Sequence, residues 1–203
     1  MNSLNEKSSN LVCVFCASHD SPDSSYNAAA DELGKELASA GYGLVYGGGS
    51  RGLMGRVARA VDENSGEVLG IMPRALTKLE GATEIGRHIL VDSMHERKSM
   101  MNENAMAFIA LPGGYGTFEE LLEIVTWSVL SIHSKPIVVL NINGYYSSLK
   151  DLIDKAVGAG FIKEGNQDII SFCDTPQEAV AAIAAYQAPN TRFNLNWTTD
   201  KPT

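Results

Sequence analysis

The sequence predicts an α/β fold in which a doubly wound, mostly parallel sheet of about seven strands is flanked by helices. Short apolar runs typical of buried strands alternate with segments of helical period through almost the whole chain, which is the pattern of βα units. Two strand-to-helix turns are rich in glycine, and no repeat or linker divides the chain. The predicted strands lie near residues 11–17, 43–46, 67–71, 88–91, 105–111, 136–140 and 168–172.

The predicted helices carry start and stop signals. Ser21 and Pro22 precede the first helix, whose apolar residues recur at helical spacing until Gly41. Three later helices are predicted to begin at capping boxes, in which a Ser or Thr is followed three residues later by Glu. These pairs are Ser93 with Glu96, Thr117 with Glu120, and Thr175 with Glu178, the last with Pro176 at the first helical position.

The composition favours one domain of ordinary size. The chain has 203 residues, of which 44% are hydrophobic and 20% are charged, and this is enough apolar material for one core. We expect a flexible N-terminus at 1–10, a single Rossmann-like domain at 11–188 and a C-terminal tail at 189–203. The polar N-terminus and the shortness of the apolar runs predict a cytoplasmic protein without a membrane partner.

Net charge and cysteine positions argue against a nucleic-acid-binding protein, a disulfide-stabilised protein and a zinc protein. A formal net charge of −8 and a pI near 5.0 disfavour nucleic-acid binding and favour a small ligand. Cys13 and Cys16 lie in a strand-like run that directs them to opposite faces, and Cys173 is isolated. The three thiols are therefore predicted to be core residues, and neither a disulfide framework nor a zinc site is expected.

The segment Pro112–Glu120 is the most informative part of the chain. It joins an apolar strand to a helix through a glycine loop and supplies two carboxylates. Unpaired N–H groups at the helix start, together with the loop, form a cradle for an anion. A purely structural role is the alternative, since glycine turns also serve packing. A second glycine-rich loop at 47–55 favours one nucleotide-sized ligand held where the loops after strands one, two, four and five converge.

Gly47, Gly49 and Gly52 also match the G-x-G-x-x-G pattern of dinucleotide-binding oxidoreductases. In those enzymes the pattern follows the first strand, and an acidic residue at the end of the next strand holds the ribose. Here the loop follows the second predicted strand, and the third ends at Ile71-Met72-Pro73 without an acid. Hydride transfer is therefore disfavoured.

The run Met94–Lys98 opens a helix directly after the fourth predicted strand and brings two cations to the same edge of the sheet. Cations are disfavoured in the first turn of a helix, so a bound phosphate or a developing negative charge would explain them. Exposed surface charge is the alternative. Arg97 is the stronger candidate of the two, because its planar fork can hold an acceptor in fixed geometry.

The motifs GGGSRGLMG, MHERK and PGGYGTFEE, in this order and spacing, resemble the LONELY GUY family of cytokinin riboside 5′-monophosphate phosphoribohydrolases, once labelled possible lysine decarboxylases. The resemblance runs from about Val12 to Ala185. It implies hydrolysis of the N-glycosidic bond of an N6-prenylated adenosine 5′-monophosphate, with no metal or redox cofactor. No pyridoxal-phosphate lysine motif supports the decarboxylase label. A carboxylate suits this chemistry, because it can stabilise an oxocarbenium-like sugar or orient water against it.

Matched motif by motif, the resemblance implies that Arg97 and Glu120 are the catalytic pair, with Glu119 as the fallback carboxylate. It also implies a set of substrate-binding positions. Those around the 5′-phosphate are Gly48, Gly49, Gly114, Tyr115, Gly116 and Thr117, and those nearer the rest of the nucleotide are Ser18, Met94 and Lys98, with Met94 on the side of the base.

The chain departs from the family pattern at Ala17, Val129 and Ser131, where the family has glycine, glutamine and glycine. Family members form dimers or larger assemblies, so the resemblance implies a homodimer or higher homo-oligomer. Two alternatives stay open, a general AMP or purine nucleotide phosphoribohydrolase and a non-catalytic nucleotide or molybdenum-cofactor carrier. Carriers share the P-G-G-x-G-T loop, but the intact Arg97 and Glu120 favour the enzyme.

Overall fold

The computed structural model describes residues 10–77 and 85–197. These residues form the strands Leu11–Phe15 (β1), Gly43–Tyr46 (β2), Val68–Pro73 (β3), Arg87–Val91 (β4), Ala107–Ala110 (β5), Ile137–Leu140 (β6) and Ile170–Cys173 (β7). The helices are Ser24–Ser39 (α1), Gly52–Glu63 (α2), Met94–Asn104 (α3), Tyr115–Val129 (α4), Ser147–Gly158 (α5) and Pro176–Ala185 (α6). Short 3-10 helices lie at Arg74–Leu76, Ile142–Gly144 and Asn166–Ile169.

The sheet has the order β4-β3-β2-β1-β5-β6-β7, and every neighbouring pair in it is parallel. The chain builds outward from β1 to β4 on one side and then crosses to β5 on the other side of β1. Val12, for example, pairs with Leu44 of β2 and with Ala107 of β5. The predicted doubly wound α/β fold is confirmed, and the order reverses between β1 and β5, where such sheets open a crevice for ligands.

Each face of the sheet has its own core. Val12 and Val14 of β1 belong to the core packed by α1, α2 and α6, whereas Leu11, Cys13 and Phe15 belong to the core packed by α3 and α4. Cys16 lies in the first of these cores, so Cys13 and Cys16 occupy opposite faces as predicted. Burial raises the pKa of both thiols, which keeps them protonated and unreactive.

Two of the three predicted capping boxes are confirmed. The side chain of Ser93 accepts a 3.1 Å hydrogen bond from the Glu96 amide, and Thr175 accepts one of 3.2 Å from the Glu178 amide. The first helix begins at Ser24, two residues later than Pro22 suggested, because Asp23 caps it.

The third predicted box, Thr117 with Glu120, is wrong. Helix α4 begins at Tyr115 and its N-cap is Gly114, so Thr117 is already the third helical residue. The apolar pattern fixed the helix but not its first turn, because a glycine N-cap leaves no side-chain signal. Glu120 is therefore the sixth helical residue, beyond the position from which the glutamate of a capping box reaches back to the N-cap.

The described part of the predicted C-terminal tail contacts the end of α4 and the residues that follow it. Nη1 of Arg192 donates to the carbonyls of His133 at 2.8 Å and Ser128 at 3.4 Å, and Nε1 of Trp197 donates to the carbonyl of Leu130 at 2.8 Å. Residues 189–197 thus satisfy carbonyls at the end of α4. Residues 1–9 of the predicted flexible N-terminus and 198–203 of the predicted tail lie outside the described residues.

Ser131, which replaces a glycine of the family pattern, lies just after the end of α4. The amide of Ile132 bonds the carbonyl of Trp127 at 2.9 Å, and that of Ser131 bonds Ser128 at 3.0 Å, which is a Schellman ending. Ser131 has a φ of 59°, a conformation that favours glycine. Its hydroxyl donates to the carbonyl of Phe193, so the serine gains a contact with the C-terminal segment that glycine lacks.

Candidate active site

A cavity of about 290 Å³ opens at the carboxyl ends of β1 and β5. It lies where the strand order reverses, which is the expected position of a ligand in this architecture. The residues that line it come from the loop after β1, the first turns of α2 and α3, and the start of α4. They are Cys16, Ala17, Ser18, His19, Met54, Arg97, Gly114, Tyr115, Gly116, Thr117 and Glu120.

The first turn of α4 forms one wall of this cavity. Its N-cap, Gly114, has no side chain to accept from the first N–H groups of the helix. The amides of Tyr115, Gly116 and Thr117 have no acceptor within the helix, because they precede its first complete turn. Open N–H groups at the positive end of a 15-residue helix favour an anion in this cavity.

Gly114 and Gly116 leave this wall open. A Cβ atom at either position would meet no atom of the described residues within 4 Å, and neither glycine has a positive φ. Neither backbone strain nor internal packing therefore requires glycine at these two positions. Both line the cavity, so the missing side chains give a ligand access to the helix start.

Arg97 and Glu120 form a buried ion pair beside that wall. Nη1 of Arg97 lies 3.6 Å from Oε1 of Glu120, and the two side chains are 7% and 10% exposed. Arg97 comes from the first turns of α3, whereas Glu120 lies near the second turn of α4. At 3.6 Å the contact is one of charge with charge, beyond the usual length of a hydrogen bond. Two buried, opposite charges thus face one cavity.

Helical geometry explains why Glu120 reaches the cavity. It lies four residues after Gly116 and three after Thr117, and residues at these spacings share one face of a helix. Thr117 is buried, and its hydroxyl packs against Gly113 so closely that a Cβ there would be 2.1 Å from Oγ1. The start of α4 and the carboxylate therefore belong to one continuous surface.

The structure does not bring Lys98 or Glu119 into this cavity. Nζ of Lys98 lies 2.5 Å from Oε1 of Glu119 and 3.0 Å from Oε2 of Glu123, which joins α3 to α4. Desolvation lowers the pKa of Lys98, but hydrogen bonds to the two glutamates outweigh it and raise the pKa overall. The Glu119 side chain is 53% exposed. Both predicted residues instead belong to a cluster that bridges the helices carrying Arg97 and Glu120.

Of the other predicted substrate-binding residues, some line the cavity and some lie outside it. Ser18 and Tyr115 line the cavity, and Tyr115 is 92% exposed at its mouth. Gly48 and Gly49 are buried in the loop after β2 and are not among the lining residues. Met94 is half-exposed, with its Sδ 3.8 Å from Nη1 of Arg97, so it touches the ion pair from outside.

Four lining residues were not among the predicted site residues: Cys16, Ala17, His19 and Met54. The sequence feature that could have identified them is their position, since they follow β1 or lie in the first turn of α2. Gly52 explains how the two segments meet. It has a φ of 59°, and a Cβ there would lie 2.3 to 2.6 Å from backbone atoms of Ser18 and His19. Only glycine allows α2 to start this close to the loop after β1.

Within residues 10–77 and 85–197, no three His, Cys, Asp or Glu side chains converge as metal ligands do. None of the described helices is long and apolar enough to cross a membrane.

The chain was compared with known proteins. A family model described as "Possible lysine decarboxylase" matches residues 54–183. The cytokinin riboside 5′-monophosphate phosphoribohydrolase LOG3 of Arabidopsis thaliana is 50% identical over 177 residues, which cover 86% of this chain and 82% of that protein. The rice enzyme of the same name, LOG, from Oryza sativa subsp. japonica, is 46% identical over 192 residues, covering 94% and 79%.

Solved structures share the fold at lower identity. The molybdenum cofactor carrier protein of Chlamydomonas reinhardtii is 20% identical with a TM-score of 0.63, covering 87% of this chain and 99% of that one. The molybdenum cofactor binding protein of Rippkaea orientalis is 19% identical with a TM-score of 0.66, covering 87% and 96%. At this identity the likeness shows a common Rossmann-like architecture alone.

Proposed function

The chain belongs to the LONELY GUY (LOG) family, and from that premise we propose that it hydrolyses the N-glycosidic bond of an N6-prenylated adenosine 5′-monophosphate. The products are the free cytokinin base and ribose 5-phosphate. Family membership rests on relatives that are 45–50% identical over most of both chains. The enzyme is then a hydrolase whose substrate is a small nucleotide.

The observation that carries the proposal is the buried pair of Arg97 and Glu120 beside the open start of α4. A helix N-terminus suits a dianionic phosphate, and a carboxylate one to two turns further along suits an electron-deficient sugar. A carrier would need the phosphate site but no buried carboxylate paired with a cation. The combination therefore favours an enzyme over a binding protein.

Each group has a defined task in the proposed reaction. The amides of Tyr115, Gly116 and Thr117 hold the 5′-phosphate and so fix the ribose in the cavity. Water attacks C1′ as the bond from C1′ to the purine nitrogen breaks, and the bonding electrons leave with the purine, which takes up a proton. Glu120 stabilises the positive charge on the sugar or orients the water, and Arg97 stabilises the negative charge that develops on the purine.

The test is chromatographic detection of free base after the purified protein is incubated with isopentenyladenosine 5′-monophosphate. AMP and the nucleoside isopentenyladenosine are the comparison substrates. We expect base release from the prenylated monophosphate and little from the nucleoside, because the nucleoside lacks the group that binds the start of α4.

Other outcomes separate the alternatives. A preference for AMP would make the protein a general purine nucleotide phosphoribohydrolase. Tight binding of the nucleotide without cleavage would contradict hydrolysis and favour a carrier. Equal cleavage of nucleotide and nucleoside would contradict the phosphate-binding role of α4.

A homo-oligomeric state and a cytoplasmic location form part of the same proposal. An apolar groove of about 460 Å³ lies between α4 and α5 and includes Leu122, which is 48% exposed. A second copy that covered this groove would remove apolar surface from water. Free rather than paired cysteines suit a reducing compartment. Sedimentation velocity of the wild type and of Leu122→Glu tests the assembly, and a monomeric wild type would contradict it.

A further inference from the structure

The loop after β2 touches the guanidinium of Arg97 at a position without a side chain. Gly47 directly follows β2 and is buried. A Cβ atom at this position would lie 2.1 Å from Nη2 and 3.3 Å from Cζ of Arg97, and the first distance is shorter than any real contact. Gly47 has no positive φ, so its backbone does not require glycine. The requirement comes from the space that the guanidinium occupies.

Packing, more than directed hydrogen bonding, orients this guanidinium. Nη1 faces Oε1 of Glu120 at 3.6 Å and Sδ of Met94 at 3.8 Å, and Nε has no hydrogen-bond partner among the described residues. Sδ of Met54 would be 3.1 Å from a Cβ at position 47, so it closes the same side as Gly47. Glu120 is the charged neighbour of this guanidinium, and the close contacts on its other side determine its orientation.

We propose that Gly47 is a positioning residue, whose missing side chain lets Arg97 sit against the loop after β2 and hold Nη1 toward Glu120. The inference rests on the proposed function, in which these two residues are the catalytic pair. A methyl group at position 47 displaces the far end of a flexible side chain and not the backbone. The fold can therefore accept Gly47→Ala, whereas the ion pair cannot keep its geometry.

The first measurement compares Gly47→Ala with the wild type by kcat, by KM for isopentenyladenosine 5′-monophosphate, and by the Nε–Hε signal of Arg97 in a ¹H–¹⁵N spectrum. Loss of the signal in Arg97→Ala assigns it. We expect kcat to fall on the order of 100-fold, as for a catalytic group displaced by about 1 Å, with a smaller change in KM and a shifted Nε–Hε signal.

The control is Gly158→Ala at the end of α5, where a Cβ meets nothing within 4 Å. The kcat of this variant and its Arg97 signal should stay unchanged.

The second measurement asks whether Gly47 acts through Arg97. In the Arg97→Ala background the space beside position 47 is vacant, so Gly47→Ala should not lower the free energy of unfolding or the residual rate any further. If Gly47→Ala alone does not fold, the double variant should fold, since the clash is gone. Such rescue would support the contact directly, and failure of both variants to fold would contradict it.

Two results would overturn the inference. One is a wild-type kcat and an unmoved Arg97 signal in Gly47→Ala. The other is an equal loss of stability in both backgrounds, which would show that Gly47 acts independently of Arg97. The spectrum and the unfolding data do not depend on any reaction. If the wild type releases no base, the proposed function fails, but these data still decide whether Gly47 positions Arg97.

Discussion

Glu119 and Glu120 are neighbours in the sequence, yet their carboxylates lie in different surroundings. Oε1 of Glu120 is 3.6 Å from Nη1 of Arg97 and lines the cavity, whereas Oε1 of Glu119 is 2.5 Å from Nζ of Lys98 and lies outside it. Successive residues of a helix point about 100° apart, so one carboxylate faces the cavity and the other faces α3. This relationship makes the two glutamates a matched pair for mutagenesis.

Glu120→Gln is expected to lower kcat by about 10²–10⁴-fold, because the amide has no charge to stabilise the sugar or to activate water. Glu119→Gln should retain most of the rate, since it weakens only a partly exposed ion pair. Steady-state base release by both variants provides the measurement, and circular dichroism checks that each is folded. A larger loss in Glu119→Gln than in Glu120→Gln would assign the reacting carboxylate to Glu119 instead.

Gly116→Ala is expected to separate ligand binding from stability. The new methyl group meets no described atom, so the free energy of unfolding should stay level or rise by about 0.4–1 kcal/mol. The same methyl narrows the approach to the start of α4 and should weaken the binding of AMP. Denaturant unfolding and calorimetric titration measure the two effects. Gly158→Ala is the control, with a similar change in stability and unchanged affinity; unaltered affinity in Gly116→Ala would place the phosphate elsewhere.

From the contact between Ser131 and the C-terminal segment, we expect a definite order of stability among variants at position 131. Ser131→Ala keeps the strained φ of 59° but loses the hydroxyl that bonds Phe193, so it should be less stable than the wild type by about 0.5–1.5 kcal/mol. Ser131→Gly also loses that bond but removes the strain, and should lie close to the wild type. Denaturant titration of the three proteins tests this order. An alanine variant as stable as the glycine variant would contradict it.

Because His133 is buried, we expect the protein to lose folding stability in acid. Desolvation together with the charges of Lys135 and Arg192 lowers the pKa of His133 to about 4, against a hydrogen bond to the Ile124 carbonyl that raises it. The unfolded chain, with an ordinary pKa near 6.5, binds the proton first. The free energy of unfolding should therefore fall as the pH drops from about 6.5 to 4, by on the order of 2–3 kcal/mol from this residue.

The comparison that isolates this effect is His133→Gln, which cannot take up a proton in that range. Urea unfolding of both proteins at pH 7, 6 and 5 gives the two pH profiles. The wild type should lose more stability than the variant between pH 7 and 5, and parallel profiles would show that other groups cause the loss.

The sequence alone predicted the sheet and its glycine loops, and the motif resemblance implied that Arg97 and Glu120 are the catalytic pair. Strand and helix periods are local properties, and parallel strands necessarily bring their loops to one edge, so the site could be located from β1, β2, β4 and β5. The motif resemblance then named the catalytic candidates, and the comparisons confirmed the family. These conclusions needed no knowledge of distances between segments.

Tertiary structure decided which residues actually meet. The glycine N-cap set the phase of α4 and so turned Glu120, rather than Glu119, to the cavity, while the proximity of α3 engaged Lys98 with Glu119 and Glu123. The contact of Gly47 with Arg97 joins residues 50 positions apart, and the C-terminal segment satisfies carbonyls more than 50 positions before it. Such contacts depend on helix phase and on packing between distant segments, and a local sequence pattern contains neither.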